Sequence, residues 1–113
     1  MVGTDFAVLL AERLADADAR IEAAEVELDS VRRARGESVA DDEHDPEGST
    51  LTSDWSRIAA IVISAEAQRT AIQLAFARLQ AGTFGRCLNC GGPIAEERLR
   101  ARPEAELCID CAS

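Results

Sequence analysis

Four cysteines carry the clearest chemistry in this chain. Cys87 and Cys90 form one Cys-x-x-Cys pair, Cys108 and Cys111 form another, and residues 91–107 separate the pairs. A two-residue gap lets both thiolates of a pair turn toward one point. Two such knuckles face to face offer four soft sulfur ligands in a tetrahedron, the geometry Zn²⁺ accepts. Four thiolates also close the coordination sphere against water, so the expected zinc is structural rather than catalytic. A redox dithiol, structural disulfides and iron–sulfur ligation are the competing readings. Gly91 and Gly92 follow the first knuckle, where bare backbone lets amide N–H groups approach sulfur.

Two charged groups are further candidates. Arg86, Arg98, Arg100 and Arg102 surround the cysteines. They read either as a basic contact surface or as local compensation for an anionic Zn(Cys)₄ centre. Residues 36–50 carry Glu37, Asp41, Asp42, Glu43, Asp45 and Glu47 with no Lys or Arg. This run reads as a solvated turn, as a prong that meets basic side chains or Mg²⁺, or as a weak calcium loop without EF-hand spacing. His44, the single histidine, reads as a solvated loop residue. No Ser–His–Asp set can be assembled around it, and no phosphate-binding glycine loop is present. Carboxylates in an exposed turn lack the burial that would tune them for acid–base work. The expectation is a protein that is not an enzyme.

The composition narrows the class. A chain of 113 residues is one modest domain in size, and its formal charge of −9 argues against a general nucleic-acid binder. A loaded Zn(Cys)₄ site adds about −2, because metal-bound thiols are deprotonated. Residues 1–14 lack the basic start and long apolar run of a secretory signal, and no stretch approaches a membrane span. A cytosolic setting is expected, where clustered cysteines favour metal over disulfides.

The elements that would position these groups are helical. Phe6, Leu10, Leu14, Ala17, Ile21, Ala24, Leu28 and Val31 make a heptad seam and predict a helix over 4–34, with Thr4 as its cap and Gly36 as its stop. Leu51, Trp55, Ile58, Val62, Ala65, Ile72, Phe76 and Leu79 make a second seam. Arg69 sits at its one polar slot, and Ile61 and Ala75 widen the stripe. This second helix should end at Gly82, and it begins either at Asp45-Pro46 or at Ser49-Thr50. Each helix would span roughly 45 Å. The fold class predicted is mostly α: a long antiparallel coiled-coil hairpin over 1–81 with its acidic tip at 36–50, then a small Cys₄ zinc finger over 82–113. Phe6 would face Phe76 and Leu79 at the base, and Val31 would face Leu51 or Trp55. Pairing within one chain is favoured, since it closes a short loop at modest entropy cost; the same seams permit a dimer. In the finger, residues 95–101 predict a short helix, and Ile94, Leu99, Leu107 and Ile109 a small apolar cluster. A unit that small needs its zinc to fold.

One family shares this arrangement. The chain resembles the DksA/TraR C4-type zinc-finger regulators of bacterial RNA polymerase. The likeness rests on Gly82-Thr83-Phe84-Gly85, Cys87, Cys90-Gly91, Pro93-Ile94, Glu97-Arg98-Leu99, Ala101, Pro103 and Leu107-Cys108-Ile109-Asp110-Cys111. The preceding hairpin matches in kind. The resemblance implies a transcription regulator that enters the secondary channel of RNA polymerase. Acidic tip residues would approach the catalytic Mg²⁺ region and alter promoter-complex stability without specific DNA recognition. The family's tip pattern is Asp-x-x-Asp-x-Ala; here Asp42 and Asp45 keep the spacing, and Glu47 stands at the alanine. Larger members continue past the last cysteine with a docking helix, where this sequence shows Ala112 and Ser113. Two other classes remain open from the residues themselves. One is a zinc-stabilised coiled-coil adaptor for another protein. The other is a DNA-binding zinc ribbon using the four arginines, which the acidic charge disfavours.

Overall fold

A computed structural model gives the fold. It describes residues 2–41 and 46–112, and the side chains of 5–36 and 52–112. The order is α1 (Val2–Asp41), α2 (Pro46–Ala81), α3 (Glu96–Ala101) and α4 (Ile109–Ala112). α1 and α2 form the long helical hairpin. Both are rich in Ala and carry several Leu and Arg, which lose little freedom in a helix.

Both helices run further than their seams. α1 passes through Gly36 and ends at Asp41, so Gly36 is no stop and Thr4 lies inside the helix rather than at its cap. Gly36 is exposed and a Cβ there would meet nothing, so helical backbone is tolerated at the usual glycine cost of about 1 kcal/mol. α2 starts at Pro46, whose missing N–H is harmless at a first helical position. The acidic run is therefore helical at both ends, with 42–45 between the helices. Asp42, Glu43, His44 and Asp45 lie outside the described residues, as do the side chains of Asp41 and Glu47. α2 ends where expected. Gly82 takes φ 79°, its N–H reaches Leu79 O at 3.3 Å, and Thr83 N–H reaches Arg78 O at 2.9 Å. That pair of bonds is a Schellman stop.

The chain divides into two compact units. The first comprises Met1–Asp16 and Gln68–Ser113. Here Leu10, Ile72 and Ala75 are buried together, with Leu14, Phe76, Leu79 and Phe84 against them. Phe6 takes a different place from the one the seam gives it. It leaves Phe76 and Leu79 to Leu10 and packs instead with Cys87, Ile94 and Leu99. Its ring meets Phe84 at 5.0 Å between centroids, tilted by 47°.

The second unit is Ala17–Ala67. Among its described side chains the buried ones are Ala17, Ile21, Ala24, Ile58 and Ala65, five of the seam positions. Leu28, Val31, Trp55 and Val62 are half-buried beside them. Arg32 lies over the Trp55 ring at 5.2 Å, and Arg57 pairs loosely with Glu27 at 3.9 Å. Partners on α2 fall in number as those on α1 rise, so the helices run antiparallel. Ile61 is 38% exposed and does not widen the stripe.

Candidate metal centre

The backbone builds the two knuckles before any metal is considered. Arg86 and Pro93 form a single antiparallel bridge, with Cys87 N–H to Gly92 O and Ile94 N–H to Gly85 O, both 2.8 Å. Gly85 and Gly91 have φ of 85° and 74°, which a side chain would strain. Gly91 N–H returns to Cys87 O at 2.9 Å and closes the first knuckle. Ala112 N–H returns to Cys108 O at 2.9 Å and closes the second. Leu88 N–H to Glu106 O, 2.9 Å, ties one knuckle to the other.

These turns bring all four sulfurs within 4.8 Å of one another. Cys90 and Cys108 Sγ are 3.9 Å apart. A tetrahedron with Zn–S bonds of about 2.3 Å has edges of about 3.8 Å, so the cluster fits Zn²⁺ with little adjustment. The four cysteines form no disulfide. Cys87 is buried, Cys108 and Cys111 are half-buried, and Cys90 is exposed.

The local field is uneven. The backbone N–H of Cys90, then that of Cys108, favour the Cys87 thiolate and lower its pKa to about 6, against the opposing effect of burial. Asn89 pulls the Cys111 thiol down, but hydrogen bonding with Cys108 and Cys87, burial, and Cys90 together push it up to about 12. Zinc takes thiolates, so binding near neutral pH must displace the Cys111 proton. Acid restores protons to the ligands and opposes the metal. Zinc affinity should therefore climb from pH 6 to pH 8, with proton release seen as a buffer-dependent heat in calorimetry. A flat pH profile would contradict a four-thiolate centre.

Apolar packing seats the centre on α1. Cys87, Ile94, Leu99 and Phe6 share one buried cluster, with Leu9, Phe84, Leu107, Cys108 and Cys111 against it. α3 supplies Leu99 and begins one residue after Ala95. Ile109, expected in this cluster, is 66% exposed because α4 turns it outward. Pro103, between α3 and the second knuckle, is fully buried.

Three of the four arginines have local work. Arg98 Nε donates to Leu107 O at 2.9 Å, bracing the segment that leads into the second knuckle. Arg100 pairs with Glu96 at 2.9 Å and lies over the Phe6 ring at 5.3 Å. Arg102 faces Glu104 at 3.9 Å, and Arg86 is exposed.

The spacing, the bridge and the sulfur cluster meet in one known module. Residues 82–113 match the prokaryotic dksA/traR C4-type zinc finger. This segment has the pattern of that finger. Its zinc is structural: the four thiolates would hold the ion and supply the folding energy that thirty residues of core cannot. Among curated proteins, the RNA polymerase-binding transcription factor DksA of Haemophilus influenzae is 48% identical over 40 residues, 35% of this chain and 28% of that protein. The factor of the same name from Escherichia coli K12 is 61% identical over 28 residues, 25% of this chain and 18% of that protein. The aligned parts thus span under a third of these relatives. The structure of transcription factor DksA2 from Pseudomonas aeruginosa is similar over far more of the chain. It covers 97% of this chain and 79% of that one, with a TM-score of 0.82 and 25% identity. No described helix is long and apolar enough to cross a membrane.

Asn89 has no part in the sequence-level site. It lies in the gap of the first Cys-x-x-Cys pair and donates through Nδ2 to Cys111 Sγ at 3.3 Å. Only its place between two ligands marks it in the sequence.

Proposed function

We propose that this chain is a transcription regulator that binds RNA polymerase. The observation that carries this reading is the fold likeness to DksA2 over 97% of the chain, joined to a finger of the same family. The relatives that share the finger are named for polymerase binding. On this reading residues 82–113 hold and the hairpin of 1–81 acts. The partner-contacting groups are Asp42 and Asp45 with Asp41, Glu43 and Glu47, entering the secondary channel. Their support is the two-aspartate spacing in an acidic run between two helices. Carboxylates held there can meet a basic channel wall or a Mg²⁺ ion, which takes oxygen ligands.

The test couples binding to transcription. Zinc-loaded protein should be retained by cognate core polymerase and should change promoter-complex lifetime. Exchanging Asp42→Asn and Asp45→Asn together should remove most of the transcriptional effect while leaving retention within a few-fold. Loss of retention by the unaltered protein would sink polymerase binding altogether. Retention with no transcriptional effect would leave only an adaptor.

A further inference from the structure

Side-chain contacts join the two knuckles beside the backbone ties, and one of them is made by a residue that is not itself a ligand. Asn89 reaches from the first knuckle to Cys111 in the second, across 22 positions of sequence. A thiolate can only accept, so the amide must present its N–H₂ to sulfur and its oxygen to solvent. Donation spreads the charge of that sulfur and makes it a poorer target for electrophiles. Cys90 differs. It is exposed, its donor is the Gly92 backbone N–H at 3.4 Å, and its sulfur faces Cys108 at 3.9 Å. Cys87 is shielded by burial among Phe6, Ile94 and Leu99. The four ligands are therefore unequal in access and in side-chain support.

We propose that Asn89 is a positioning residue of the metal centre. It clips the second knuckle to the first through Cys111 and leaves Cys90 as the sulfur at which the centre opens. Zinc loss and thiol modification then begin at Cys90, and Cys111 lets go late. Groups that hydrogen-bond metal ligands commonly govern metal affinity by 10–100-fold, and the solvent exposure of Asn89 places its effect near the lower bound.

The test uses the full chain loaded with Zn²⁺, then with Co²⁺. Asn89→Ala removes the amide, and Asn89→Asp keeps its shape but replaces the donor with an acceptor. Both should fold and bind one metal, since Asn89 is exposed and no ligand is changed. Zinc transfer to a chelator should be about ten-fold faster in each, with Asp at least as fast as Ala. The sulfur-to-cobalt charge-transfer band should move to longer wavelength. Alkylation mapped by mass spectrometry should find Cys90 modified first in the unaltered protein, and Cys111 alongside it in the variants. Unchanged transfer rates in both variants would overturn the proposal. So would faster transfer with Cys111 still among the last modified and the cobalt band unmoved, because Asn89 would then act through the general fold.

Discussion

Cys87→Ser should abolish stoichiometric zinc and unfold the finger. Three thiolates remain, but the lost one is the buried ligand, 3% exposed and packed in the same cluster as Phe6, Ile94 and Leu99. Apparent zinc binding energies of small zinc modules are about 10–16 kcal/mol, comparable with the whole stability of an ordinary domain at about 5–15 kcal/mol. Nothing else in 82–112 can replace that energy, since its buried side chains are few. Hydrogen exchange reads the result directly. The amides of Cys87, Leu88, Gly91 and Ile94 are bonded to backbone oxygens within the finger. They should lose protection in the variant. Chelation of the unaltered protein should do the same, and added zinc should reverse the chelated case alone. Full zinc content with protected amides in Cys87→Ser would show that the fold does not depend on this ligand.

The cysteines were legible because their chemistry depends on spacing, and spacing is what a sequence records. The seams were legible for a similar reason. Ala17, Ile21, Ala24, Ile58 and Ala65 are buried at the positions the heptads assign. Helix ends were harder. Gly36 and Gly82 are the same residue type, yet one lies within a helix and the other stops one. The difference is conformational: Gly82 takes positive φ, which lets its own N–H and that of Thr83 return to the helix, whereas Gly36 is helical. Nor does a helix need an apolar partner to continue a few residues beyond its seam. The finger's contacts were hidden because they join distant parts of the chain. Phe6 looks like the first residue of a coiled-coil stripe, and no local pattern shows that Phe84 and the cysteine cluster compete for it. Ile109 had the right character for the core but sits on the outer side of a helix four residues long.

That competition makes Phe6 the second large effect. Phe6→Ala should lower the stability of the unit formed by Met1–Asp16 and Gln68–Ser113 by about 3–5 kcal/mol, the usual cost of emptying a buried phenylalanine site. The side chain is 1% exposed, so its neighbours cannot call on water to fill the gap cheaply. The tilted Phe84 contact at 5.0 Å and the Arg100 guanidinium at 5.3 Å are lost with it. For a chain of this size the melting temperature should fall on the order of 10 °C or more. Val8→Ala, at a position 55% exposed on the same helix, should stay within about 0.5 kcal/mol and controls for helix propensity. Zinc separates this effect from damage to the ligands. Phe6→Ala keeps all four cysteines, so it should still bind one zinc at saturation. Its affinity should drop, because metal binding and folding are one equilibrium in a module this small. A melting temperature unchanged from that of Val8→Ala would show that α1 does not hold the finger. Lower thermal stability with unchanged zinc affinity would show that Phe6 supports the helices but not the metal.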